Sequence, residues 1–178
     1  MTYLLTCSTL LPRRREEVFE FFANAGNLEK LTPPLLRFEI LSPLPIAMHP
    51  GALIDYRLRV HGVPISWRTE ITEWEPPTRF VDQQLRGPYR LWHHEHSFEE
   101  AKGGTLATDR VHYAILPVPG VHRLFVEPDL RRIFAYRLER MREKFGGASP
   151  GEIRIRKLTS QEEAAAPRQP GRHEGPKR

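Results

Sequence analysis

Cysteine is almost missing: Cys7 stands alone in 178 residues. A lone thiol forms no internal disulfide, which excludes a small stapled secreted fold and fits a reducing compartment. Cys7 lies in an apolar run and reads as a small buried strand residue, since no neighbouring feature marks it as a nucleophile. No apolar stretch approaches the roughly 20 residues that a bilayer requires, and the N-terminus shows no basic region followed by an apolar segment and a small-residue cleavage site. The expected location is therefore cytoplasmic, without membrane insertion. Also missing are a Ser or Cys in a nucleophile motif, a phosphate-cradling glycine loop and a dinucleotide fingerprint, so no cofactor is expected.

A strong charge of one sign is missing from the body of the chain as well. The formal net charge is +5, yet residues 147–178 hold seven Lys/Arg against four Asp/Glu, which leaves 20 against 18 upstream. No aromatic residue interleaves with the basic residues of that tail as stacking on bases would require, so nucleic acid is not the expected partner. Arg13, Arg14 and Arg15 read as a solvated helix turn in preference to a phosphate site.

What is present points to one domain of the α+β class. Thr2 to Leu11 reads as a strand, closed by Pro12 at a helix start. Glu16 and Glu17 suit the positive end of that helix, and Val18, Phe19, Phe22 and Ala23 recur at helical spacing before Asn24-Ala25-Gly26. A second short helical turn is expected over 27–31, stopped by Pro33 and Pro34. From Arg37 the pattern changes to short β-branched and aromatic segments bounded by Pro and Gly, giving strands at 36–42, 52–61, 64–75, 79–86, 89–99 and 105–116. With the first strand this makes about seven, in one antiparallel sheet.

Leu130, Ile133, Phe134, Arg137, Leu138, Met141 and Phe145 fall on one side of a helix starting at about 121 or 127 and ending at 145, where Gly146-Gly147 stops it. Arg131, Arg132, Glu139, Arg140 and Glu143 occupy its other side. Such a helix needs an apolar surface to cover, and a sheet with one dry face supplies it. Residues 147–178 turn to Pro, Gly, Ala, Arg and Glu and read as a disordered basic tail, with Ile153, Ile155 and Leu158 alternating as a short transient strand.

Four stretches, Gly51–Arg57, Trp67–Pro77, Gly87–Phe98 and Gly103–Tyr113, together with this element order, resemble the START-like superfamily, the helix-grip or polyketide cyclase/dehydrase and lipid-transport group. The resemblance covers residues 1–146 and is nearest to small bacterial ligand-binding members. It implies a curved sheet wrapped around the C-terminal helix, with a pocket between them for an apolar small molecule. It does not set the chemistry, because the group spans carriers, receptors, cyclases and oxygenase domains.

Alternation along the strands nominates the pocket wall. Ile54, Tyr56, Leu58 and Val60 face inward from one strand, and Ile65, Trp67, Thr69 and Ile71 from the next. Phe80 brings Asp82 and Gln84 with it, and Trp92, His94, His96 and Phe98 form the bulky set of their strand. Ala107, Asp109, Val111 and Tyr113 go inward together, and Phe134 and Leu138 close the wall from the helix. The leading reading is binding, transport or sequestration of a lipid-like, polyketide-like or aromatic molecule. The second is a cyclase or dehydratase using His94 or His96 with Asp109 or Asp82 as an acid–base pair. A third is a regulatory or assembly module. His94 and His96 could hold a metal if Asp109 or Asp82 joined them; His-X-His is common in strands, the resemblance implies no metal in this pocket, and none is expected.

Overall fold

The computed structural model describes residues 1–147 and 151–168. The strands are β1 (Thr2–Leu11), β2 (Glu39–Ile40), β3 (Leu53–Val60), β4 (Val63–Glu75), β5 (Arg79–Arg86), β6 (Leu91–Ala101), β7 (Gly104–Ala114) and β8 (Glu152–Lys157). They form one eight-stranded sheet in the order β2-β3-β4-β5-β6-β7-β1-β8, antiparallel throughout. The meander from β3 to β7 follows from turns too short for anything but hairpins. Val60 pairs with Val63 around His61 and Gly62, both at positive φ, the backbone that a two-residue hairpin loop demands. Gly104 is fixed by contact: a Cβ there would stand 2.0 Å from the Leu11 carbonyl oxygen.

Helix α1 (Arg15–Ala23) carries Glu16 and Glu17 in its first turn and buries Val18, Phe19 and Phe22. Two 3-10 turns follow, Ala25–Asn27 and Pro34–Leu36. The turn expected over 27–31 thus begins earlier, with the Asn24 side chain accepting from the Gly26 amide at its start. Helix α2 (Glu127–Phe145) lies against the inner face, buries Leu130, Phe134, Arg137, Leu138, Met141 and Phe145, and follows a π-helical turn at His122–Val126. Phe19, Phe22, Phe80 and Phe98 pack edge-on and stacked beneath α1. Phe145 meets Phe21 edge to face at 5.2 Å.

Two expectations are corrected. The strand expected over 36–42 shrinks to Glu39–Ile40, because Pro34–Leu36 turns and Arg37 sits at positive φ. The packed structure does not stop at residue 146: part of the expected disordered tail is β8, paired with β1 from Tyr3↔Lys157 to Ser8↔Glu152. The reason is physical. Without β8 the long β1 would be an open sheet edge, and Ile153 and Ile155 supply the alternating apolar side chains that cover it. Leu158 is buried, and α3 (Ser160–Ala165) is fixed by a capping box of Thr159 and Glu162, the Arg156–Glu162 ion pair and the Thr2–Glu163 hydrogen bond. Residues 148–150 and 169–178 of that expectation lie outside the described residues. Among the described residues no helix is long and apolar enough to cross a membrane.

Candidate functional site: a cavity with a charged floor

Between the inner face of the sheet, the first half of α2 and the loops that follow α1 lies a cavity of about 600 Å³. Tyr56, Leu58, Trp67, Thr69 and Ile71 line it from β3 and β4, Asp82 from β5, Trp92, His94 and His96 from β6, and Phe134 from α2. Ile54, Val60 and Ile65 line it as well. Its rim carries Leu35, Leu116, Val118 and Phe125, all exposed. The wall is largely apolar and aromatic; Asp82, His94, His96 and Arg137 gather at its floor, and Asn24, Asn27, His61, Asp129 and Arg132 line it elsewhere.

Strand register explains that gathering. Asp82 stands opposite His94 across β5 and β6, and His96 stands opposite Asp109 across β6 and β7. Residues two apart on β6 share a face, so four titratable side chains converge. His96 lies between the two carboxylates, with Nε2 2.8 Å from Asp82 Oδ2 and Nδ1 2.6 Å from Asp109 Oδ1. His94 Nε2 lies 3.1 Å from the same Asp109 oxygen. From α2, Arg137 Nε donates to Asp109 Oδ2 at 2.9 Å, and its guanidinium sits over the Phe22 ring.

The charges settle each other. Burial alone would raise the Asp109 carboxyl, but Arg137 and the two imidazoles outweigh it and hold it well below the usual carboxylate range. Burial opposes ionisation of Asp82 too, and the neighbouring His94 and His96 overcome it, so its carboxyl also lies below the ordinary value. Burial pulls His96 down, while hydrogen bonding and charge from Asp109 and then Asp82 raise it above the ordinary imidazole value. His94 goes the other way, lowered by burial and by the adjacent His96. Asp82 and Asp109 are therefore held as carboxylates, with the Arg137 guanidinium against Asp109. Higher in the cavity, burial raises the phenols of Tyr56 and Tyr89, which stay neutral donors. Thr69 Oγ1 accepts from Trp67 Nε1 at 3.0 Å.

Seven residues expected on the wall lie behind it, Ala107 among them in the packed core. Gln84 is buried but turned to the β5–β6 connection, where its Nε2 donates to the Tyr89 carbonyl at 2.7 Å. Phe98 is buried among Phe19, Phe22 and Phe80. Val111 and Leu138 are buried in the dry part of the core. Tyr113 hydrogen-bonds His122 and stacks on Tyr3. Asp109 stands behind the imidazoles, covered by Arg137, so it orients groups that touch the cavity and does not itself border it. The reading also missed residues. Arg137 borders the cavity, and its signal was an arginine inside the apolar stripe of α2. Tyr89, Phe21, Leu31 and Phe38 border it too, from segments whose approach the strand pattern does not encode.

Residues 11–142 match the family model described as polyketide cyclase / dehydrase and lipid transport. A search of curated protein sequences finds no match. Among solved structures, the Zhui aromatase/cyclase from Streptomyces sp. R1128 shares 14% identity over 81% of this chain and 93% of its own, with a TM-score of 0.64. Ara h 8.0201 shares 15% over 82% of this chain and 98% of its own, with a TM-score of 0.56. A nucleoside-diphosphate sugar epimerase from Corynebacterium glutamicum shares 27% over 78% of this chain but only 28% of its own, with a TM-score of 0.57. The helix-grip fold is thus common to all three. The family description supports ligand binding or cyclisation as the class of activity and names no substrate.

Proposed function

Because the chain belongs to the polyketide cyclase / dehydrase and lipid transport family, we propose that it binds an apolar small molecule, lipid-like, polyketide-like or aromatic, inside the cavity. The observation that carries this reading is the cavity of about 600 Å³, walled largely by apolar and aromatic side chains, with a buried charged cluster at its floor. That volume falls in the range of ordinary ligand sites, and the layout suits a molecule with one polar end. The rings of Trp67 and Trp92, edge to face at 5.5 Å, offer flat surfaces to an aromatic or polyene body. The Asp82 carboxylate, held by His96, offers an acceptor to its polar end.

The test is intrinsic fluorescence. Trp67 and Trp92 border the cavity, so titration with a hydroxylated naphthalene should quench them in a saturable way. Ile133→Trp, which fills the cavity from α2, should keep the fold and abolish saturation. Quenching that stays linear, or that is equal in the filled variant, counts against the reading.

One observation favours a second reading, cyclisation or dehydration. Two imidazoles and two carboxylates within hydrogen-bonding reach at the floor can take and return a proton. In that case His94, His96 and Asp82 touch the ligand, and Asp109 is a positioning residue. Removing His96 then abolishes loss of water from a bound polyketone, read by mass spectrometry, while affinity stays within about tenfold. Equal losses of affinity and turnover leave binding alone.

A further inference from the structure

A carboxylate oxygen and an imidazole nitrogen held 2.8 Å apart, as Asp82 Oδ2 and His96 Nε2 are, need a positive centre between them. A proton is one such centre, and a metal ion is another. The position of Asp109 bears on the second. Its Oδ1 faces His96 Nδ1 at 2.6 Å and His94 Nε2 at 3.1 Å. A protonated nitrogen on each ring turned to Asp109 leaves the opposite nitrogens, His96 Nε2 and His94 Nδ1, as lone-pair donors on the Asp82 side. His94 Nδ1 lies 3.5 Å from the same Asp82 oxygen. Among the described residues, Asp82, His94 and His96 bring one ligand atom each within 4.8 Å of one another, and all three border the cavity.

From these contacts we propose that Asp82, His94 and His96 form a site for one divalent transition-metal ion of the zinc, cobalt or iron(II) type, open to the cavity on its remaining side. Two imidazoles and one carboxylate are a donor set such ions take, and three protein ligands beside an open position suit a metal that acts on a bound molecule. Asp109 is the outer carboxylate that orients both rings, and Arg137 balances its charge. A bound ion would polarise an oxygen of whatever enters the cavity. Such a site fills with the metal alone, with no organic molecule present.

The experiment titrates the full chain, tag-free and stripped with chelator, with cobalt(II). The expected result is the visible absorption of four- or five-coordinate cobalt, saturating at one ion per chain and displaced by zinc. Crystals of the unchanged protein soaked in cobalt should show an anomalous scattering peak between Asp82, His94 and His96. Asp82→Asn and His96→Gln, each checked for fold by circular dichroism, should lose the absorption, and Asp109→Asn should weaken cobalt binding about 10–100-fold. The proposal is overturned if no saturable absorption appears. It is equally overturned if absorption survives Asp82→Asn and the anomalous peak lies at exposed histidines such as His49 or His61.

Discussion

Arg137 Nε reaches Asp109 Oδ2 at 2.9 Å, and this buried ion pair ties α2 to the centre of the sheet directly behind the cavity floor. Both partners are almost fully enclosed, so each depends on the other to stay charged. Arg137→Met leaves Asp109 as an uncompensated buried carboxylate and should cost about 3–5 kcal/mol in denaturant unfolding. The double variant Arg137→Met/Asp109→Asn should recover a large part of that loss. A loss in the double variant equal to the sum of the losses in Arg137→Met and Asp109→Asn alone would mean that the pair carries no coupling.

Phe134 and Leu138 are one helical turn apart on α2, but only Phe134 borders the cavity. Leu138→Ala empties a packed site and should cost about 2–5 kcal/mol. Phe134→Ala removes a side chain that already faces a void, so its cost should fall below the ~3–5 kcal/mol of a fully packed Phe. Ligand affinity should respond in the opposite order. Urea unfolding with and without a bound apolar probe checks both halves.

On the outer face, His93 and His112 stand opposite each other in β6 and β7, each with a buried Nδ1 that finds no hydrogen-bond partner. Burial lowers both imidazoles below the ordinary value, helped at His112 by His93 and Arg110 and opposed at His93 by Asp82, Glu73 and Glu95. The unfolded chain therefore binds more protons than the folded one. Their contribution to stability is complete above the unfolded value of about 6.5 and is lost as pH falls through it toward the folded values. Unfolding free energy should decline below that pH by up to about 1.4 kcal/mol per pH unit for each group. His93→Gln/His112→Gln should make that part of the curve less steep, leaving the same-signed contributions of His94 and His122, which are also lowered, and the opposite-signed one of His96, which is raised.

Ile155 pairs with Leu5 in the β1–β8 ladder. Ile155→Pro removes a strand donor and should detach β8 from β1. The melting temperature should drop by about 2–4 °C per kcal/mol lost, and the exposed edge should promote concentration-dependent association. Calorimetry and light scattering read the two effects, and a monomer of unchanged Tm would show that β8 adds nothing.

The sequence carries the strands well because a period of two is a local property. The inward sets Tyr56/Leu58, Trp67/Thr69/Ile71 and Trp92/His94/His96 border the cavity as alternation predicts. Alternation says which face a residue takes but not how far along the sheet the helix crosses. Phe98, Val111 and Tyr113 face inward under packed helices and not under the cavity. Gln84 shows a second limit, since its amide answers a turn five residues away. Arg137 was visible as a charge in an apolar stripe, but its partner Asp109 is 28 residues away and only the fold joins them. In the C-terminal segment, composition suggested disorder, and the need of β1 for a neighbour outweighed composition.

The central claim, that the cavity holds an apolar small molecule, is tested most directly by native mass spectrometry of the purified chain after incubation with a cell extract. The expected result is a retained small molecule, one per chain, that is released on unfolding and displaced by an apolar probe. A chain that emerges at its bare mass, retaining nothing and binding no apolar probe, would contradict it.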